Sequence, residues 1–196
     1  MAINFPNVYG VSESWQLTAN TRAYVSELTG AEQVASLPGD KWIANISFNN
    51  LVRSDIGKLR AFLAAMRGRS GTCYLSPQET PLGTVSGTPL VNGASQTGTT
   101  LVTNGWGASE TVLMAGDYFE VNGELKVATA DVVSDGAGAA TINFAPDLRQ
   151  SPVDNEPIIV SNPKCTMRLT DDSQAQWQLS LSRVYVVGLS LVESIV

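Results

Sequence analysis

Only one stretch of the chain has a helical period: SDIGKLRAFLAAMRGRSG, residues 54–71. Elsewhere apolar and polar residues alternate, or short apolar runs sit between Gly, Pro, Asn and Asp. Such a chain builds sheets, and its one helix must cover a sheet or a neighbour. Over 54–67, Ile56, Leu59, Phe62, Leu63 and Met66 recur at spacings of three and four and form one apolar stripe. Ser54 or Asp55 is expected as the N-cap, because either side-chain oxygen can accept from the free N–H groups of the first turn. Gly68 is expected to stop the helix, with Arg67 and Arg69 at the negative end of its dipole. Lys58, Arg60 and Arg67 lie off the stripe. They are expected to face solvent or to contact an acidic neighbouring subunit.

The strand readings follow from period-two alternation. KWIANISFNN places Trp42, Ala44, Ile46 and Phe48 on one face and Ile43, Asn45 and Ser47 on the other. Before it, RAYVSEL (22–28) and AEQVASL (31–37) are strand candidates separated by Thr29-Gly30, and LPGD (37–40) is a turn. TCYLS follows the helix as a short strand. Near the C-terminus, Trp177, Leu179 and Leu181 alternate with Gln176, Gln178, Ser180 and Ser182. The two Trp-led strands are expected to be partners in one sheet.

Composition changes at Pro77 and changes back near Pro163. The text between is rich in Gly, Thr, Ser and Asn, with strands at 99–103, 111–114, 117–121, 124–132 and 139–145. Asn122-Gly123 is a strong two-residue hairpin signal. The expected architecture is mainly β (α+β). A discontinuous β core, residues 1–76 and 163–196, carries the one helix, and residues 77–162 form a small inserted all-β module. An insertion requires its two ends to lie close. That brings Cys73 and Cys165 near one another, and both are expected to be buried, reduced thiols.

Several function classes fall away on composition. Net charge is −6 and the pI about 4.6, which disfavours binding to nucleic-acid phosphates. There is no histidine, so a Ser-His-Asp triad is impossible and a zinc site within one chain has too few ligands. No run of about 18 apolar residues suggests a membrane span. The N-terminal MAINFPNVYGVSESW lacks a basic n-region and an apolar h-region, so folding in a cytoplasm is expected.

The remaining chemistry is sparse. Asp117, Glu120, Glu124, Asp131 and Asp135 crowd the module, where a glycosidase would need two carboxyl groups facing each other across a cleft. The plainer reading is turns and solvated strand faces. Trp106 in NGWGAS either plugs the module's core or, with Tyr118 and Phe119, offers a platform for a sugar ring. The glycine-rich GTVSGTPLVNG has no Walker lysine and opens no helix. No catalytic, metal or cofactor-binding residue is expected.

The order WIANISF (42–48), LRAFLAAMRGRSGTCYLS (59–76), LMAGDYFEVNGELKVATADVVSDGAGAATINFAPDLR (113–149), then CTMRLTDD and WQLSLSRVYVVGLSLVE, resembles tail proteins of long-tailed bacteriophages. The likeness is greatest to distal tail proteins and runs from about residue 40 to the end. It implies a structural virion protein of the tail, assembled in the host cytoplasm. Its core would be a split β-sandwich of tail-tube type with one flanking helix, and its copies would form a ring, typically a hexamer. The ring would join the tube to the tip or baseplate, with tail tube, tape-measure and tip or hub proteins as partners. DNA would pass through transiently, past an acidic lumen. It implies no enzyme, no cofactor and no membrane insertion. A carbohydrate-binding tail module, another tube or tip subunit, and a cell-wall glycan hydrolase are the competing readings.

Overall fold

A computed structural model describes residues 2–8, 11–179 and 185–195. The chain opens with strands β1 (Ile3–Asn4), β2 (Val11–Thr18), β3 (Thr21–Val25), β4 (Glu32–Ser36) and β5 (Lys41–Leu51), then helix α1 (Arg53–Met66) and β6 (Cys73–Leu75). Eight strands follow: β7 (Gly87–Val91), β8 (Gly98–Trp106), β9 (Thr111–Leu113), β10 (Tyr118–Val121), β11 (Glu124–Ala128), β12 (Val132–Val133), β13 (Ala140–Leu148) and β14 (Ile158–Ile159). The chain ends with β15 (Cys165–Leu169), β16 (Gln178–Leu179) and β17 (Tyr185–Glu193). The fold is mainly β.

The first sheet runs β1-β6-β15-β17-β5-β2, with β16 on β17. It draws strands from both ends of the chain. Alternation decides its two faces. Trp42, Ala44, Ile46, Phe48, Met167, Leu169, Val187, Leu189 and Leu191 are buried against α1, whose Ile56, Leu59, Phe62, Leu63 and Met66 are all buried. The opposite face is uncharged and polar over much of its area: Ser12 lies opposite Ser47, Ser14 opposite Asn45, and Ser47 and Asn45 opposite Gly188 and Ser190.

The second sheet, β14-β10-β11-β13-β8-β7, comes entirely from 77–162 and nearly closes on itself. Leu90 bridges Pro157, the Val91 amide donates to the Glu156 carbonyl at 2.9 Å, and the Asn155 amide donates to the Val91 carbonyl at 2.9 Å. The result is a small barrel filled by Leu101, Phe119, Val121, Ile142 and Phe144. Closure removes the open edges. The Asn122-Gly123 turn joins β10 to β11 with φ of 51° and 73°, the two positive values that this hairpin type needs.

Barrel and first sheet meet along one seam. Trp15, Trp42 and Tyr118 form an aromatic triangle with ring centroids 5.6–6.5 Å apart. The Trp42 indole N–H donates to the Leu125 carbonyl at 2.9 Å. Beside them Arg149 Nη1 and Nη2 donate to Glu193 Oε1 and Oε2 at 2.6 and 2.7 Å, and Nη2 also donates to the Asp40 carbonyl at 2.9 Å. The second Glu193 oxygen accepts the Trp42 backbone N–H at 3.1 Å.

Three expectations need correction. The helix begins earlier than Ser54: β5 leads straight into it, and Val52 takes the cap position with φ −82° and ψ 166°. Its carbonyl accepts from Asp55 and Ile56 N–H at 3.1 Å, but it has no side-chain acceptor for the other free N–H groups. Ser54 and Asp55 sit in the first turn instead. Substituting Val52→Asp supplies the missing cap, and the expected gain is about 1 kcal/mol, read as a higher urea midpoint.

At the other end Arg67, not Gly68, is the first residue to leave the helix, with φ 51° in the left-handed region. Gly68 follows at φ 66°, and a Cβ there would lie 2.2 Å from Asp172 Oδ1. The third correction concerns the Trp-led strands. The segment led by Trp177 does share the sheet of β5, through β16 on β17, but it is β17, later in the same QAQWQLSLSRVYVVGLSLVES stretch, that lies beside β5. Trp177 precedes the two-residue β16, is 41% exposed, and residues 180–182 of the expected strand lie outside the described residues. The sequence reading also passed over β2, whose Val11, Glu13, Trp15 and Leu17 alternate in plain view.

Cys73 and Cys165 are buried and unbonded on adjacent antiparallel strands. Burial pushes the Cys73 thiol from the usual 9.0 up to about 12 and raises Cys165 as well. The folded chain thus holds these protons more tightly than the unfolded chain. Stability from this source is full below pH 9 and falls as pH rises toward 12. An aromatic disulfide reagent at pH 8 is expected to find no reactive thiol in the native protein and two after denaturation.

Candidate functional site

The feature without a partner is a hairpin arm. β2 and β5 pair to their ends, Thr18 opposite Lys41, and the chain between them projects as β3 and β4. Its root is tied by the Asn20 amide donating to Asp40 Oδ1 at 2.8 Å and by the Leu37 amide donating to the Asn20 carbonyl at 2.8 Å. At the tip the Ser26 amide donates to the Ala31 carbonyl at 2.8 Å, and Gly30 takes φ 68° to close the turn. All five residues of β3 are exposed, as are four of the five in β4. Ala23, Val25 and Val34 share one face, Tyr24 lies on the other, and Leu28 at the tip is 98% exposed. A lone two-stranded hairpin is marginally stable in water, and this one leaves Tyr24, Val25, Leu28 and Val34 exposed.

A second feature lies at the far end of α1. Arg67, Arg69 and Arg168 line an open depression with Gly68, Ser70 and Asp172. Asp172 Oδ1 accepts the Arg69 backbone N–H at 2.7 Å, a tie across 103 residues that holds the two loops together. Asp171 caps the short turn after β15 by accepting the Ser173 N–H at 2.7 Å.

The three cations expected to contact a neighbour separate in the structure. Arg67 is exposed at the depression. Lys58 is paired within the helix to Asp55 at 3.2 Å. Arg60 is not free for a neighbour, because its guanidinium stacks on Trp177 and Tyr185, 4.5 and 5.1 Å from the ring centroids. Arg69 and Arg168, which complete the depression, were legible only as isolated charges.

The sugar platform does not form. Trp106 is buried at the barrel end, 5% exposed, and its indole N–H donates to Thr103 Oγ1 at 2.7 Å. Phe119 is wholly buried against Phe144, and Tyr118 is spent in the seam. The module's carboxylates are similarly engaged. Asp117 accepts three backbone N–H groups, from Leu82, Gly83 and Met114, at 2.8–2.9 Å, and Asp131 accepts that of Ala115. Glu120 accepts the Lys164 amide, though burial still raises its pKa. The Ala139 and Ala137 amides hold Asp135 below the usual carboxylate range. Glu124 pairs at 2.6 Å with Lys126, which is fully buried and lowered by that burial. Among the described residues no three His, Cys, Asp or Glu side chains gather as a metal site, and no helix is long and apolar enough to cross a membrane.

Charge is divided between the two parts. Residues 77–162 hold ten carboxylates and two cations, net −8, while the rest holds eight carboxylates and ten cations, net +2. Both barrel cations are committed to ion pairs. Compared with known proteins, the chain matches no family model and no curated protein.

Proposed function

We propose that this chain is a structural subunit of a bacteriophage tail, a distal tail protein whose copies close into a ring between tail tube and tip. The observation that carries the reading is the uncovered arm. A monomer gains little from a projecting hairpin with Tyr24, Val25, Leu28 and Val34 in water. A neighbouring subunit that covers it gains apolar burial at about 25 cal/mol per Å². Closed rings use contacts between unlike patches of successive copies, and an arm on one side of a sheet supplies one such patch.

The rest of the molecule is compatible with this role. A sheet from both chain ends, covered by one helix, agrees with a tail-tube-type core, and the barrel agrees with a projecting second domain. In this reading the copies number six, the other partners are tube, tape-measure and tip or hub proteins, and the place is the virion tail. The division of charge does not favour an acidic wall facing passing DNA, because the negative charge lies in the projecting barrel and the core is net +2.

The test is direct. Purified protein over a wide concentration range, examined by light scattering and negative-stain electron microscopy, is expected to show rings with a central opening. A chain that stays monomeric at high concentration, alone and with tube or tip proteins, overturns the proposal.

A further inference from the structure

We infer that the acidic tip of one copy's arm seats in the arginine-lined depression of the next copy. This rests on the ring reading above and names the surface that receives the arm.

Charge is the first argument. The tip carries Glu27 and Glu32 on either side of Leu28, all three exposed, and neither carboxylate has an ion-pair partner among the described residues. The depression presents Arg67, Arg69 and Arg168. Asp172 also lines it and Asp171 interacts with Arg69, so three arginines stand against two carboxylates, each of which also accepts a backbone N–H. Arg168 Nε is buried with no hydrogen-bond partner among the described residues. Arginine forks suit carboxylates, and such pairs are strong when water is excluded.

Position is the second argument. The arm leaves the sheet from β2 and β5, at one side, and the depression opens beside β15, separated from β2 by β17 and β5. Tip and depression are thus unlike patches on different sides of one sheet, as a head-to-tail ring requires. Residues 19–28 in extended form reach about 30 Å, enough to carry the tip well clear of the sheet edge from which the arm leaves. The barrel is also acidic, but its Asp131 and Asp135 already accept backbone N–H groups and its own core is filled, so covering it answers no unmet need.

The experiment pairs cross-linking with charge reversal. Cys73 and Cys165 are buried, so Leu28→Cys with Ser70→Cys supplies the exposed thiols. A short bismaleimide is expected to give a ladder of covalent multimers from the double variant. Neither single variant gives that ladder. Glu27→Lys with Glu32→Lys should weaken assembly at least tenfold in concentration, as should Arg67→Glu with Arg69→Glu, and combining the four should recover much of the loss. Far-UV circular dichroism checks that each variant folds.

Rings that form normally, with no 28-to-70 cross-link and no response to either reversal, overturn the docking while leaving the ring reading intact. Dissociation by Asp131→Lys with Asp135→Lys but not by the arm variants makes the barrel the occupant, and likewise overturns it. A chain with no multimers and no ladder fails both.

Discussion

Replacing Arg149 with alanine is expected to destabilise the fold by about 3–5 kcal/mol. The Glu193 side chain is 4% exposed, and its two oxygens accept both Arg149 donors. Without the guanidinium, a carboxylate remains in the seam with the Trp42 backbone N–H as its hydrogen-bond donor among the described residues and the charge of Lys126, already paired with Glu124, at longer range. The Asp40 carbonyl also loses its donor. Burial works to lower the Arg149 pKa, yet Glu193 together with Glu124 and Cys165 leaves it raised, so the guanidinium stays charged throughout the accessible pH range. The measurement is urea denaturation followed by tryptophan fluorescence, with Trp42 at the seam as reporter. Arg149→Met with Glu193→Gln removes both charges and keeps an acceptor for the Trp42 amide. That double variant should recover more than half of the loss, since an unpaired buried charge costs more than the pair gains. A cost below about 1 kcal/mol for Arg149→Ala, the value of an exposed pair, would sink this account of the seam.

That pair also marks where sequence reading stopped. The period of α1 was legible because Ile56, Leu59, Phe62, Leu63 and Met66 are close in sequence and must share a face. The Asn122-Gly123 hairpin was legible because its backbone demands are local. The β3–β4 arm could be read as two strands and a turn, but not as an arm. Exposure on both faces is set by what fails to pack against a strand, and Ala23, Val25 and Val34 look like any half-buried face. Arg149 and Glu193 are 44 residues apart, and Arg69 and Asp172 are 103 apart. No local pattern links such residues; the sheet order does. Trp106 in NGWGAS was ambiguous for a related reason: only the closed barrel decides whether a Trp between glycines faces inward.

Deleting residues 21–38 is expected to abolish ring assembly while leaving the remaining fold stable to within about 1 kcal/mol. The deletion joins Asn20 directly to Gly39. Thr18 already pairs with Lys41, so Ala19 and Asp40 become the flanks of a two-residue Asn-Gly turn, the sequence that tight antiparallel hairpins favour. Gly39 already has a positive φ of 112°, and Asn tolerates one. Asp40 is retained, and with it the carbonyl that Arg149 reaches. What is lost is a hairpin whose residues contribute almost nothing to either core. Thermal unfolding should therefore move by only a few degrees, while light scattering shifts from ring to monomer. If full-length protein forms rings and the shortened chain forms the same rings, the arm is not the assembling element. The β2 edge, which pairs on one side with β5 and among the described residues has no strand on the other, would then be the contact to dissect.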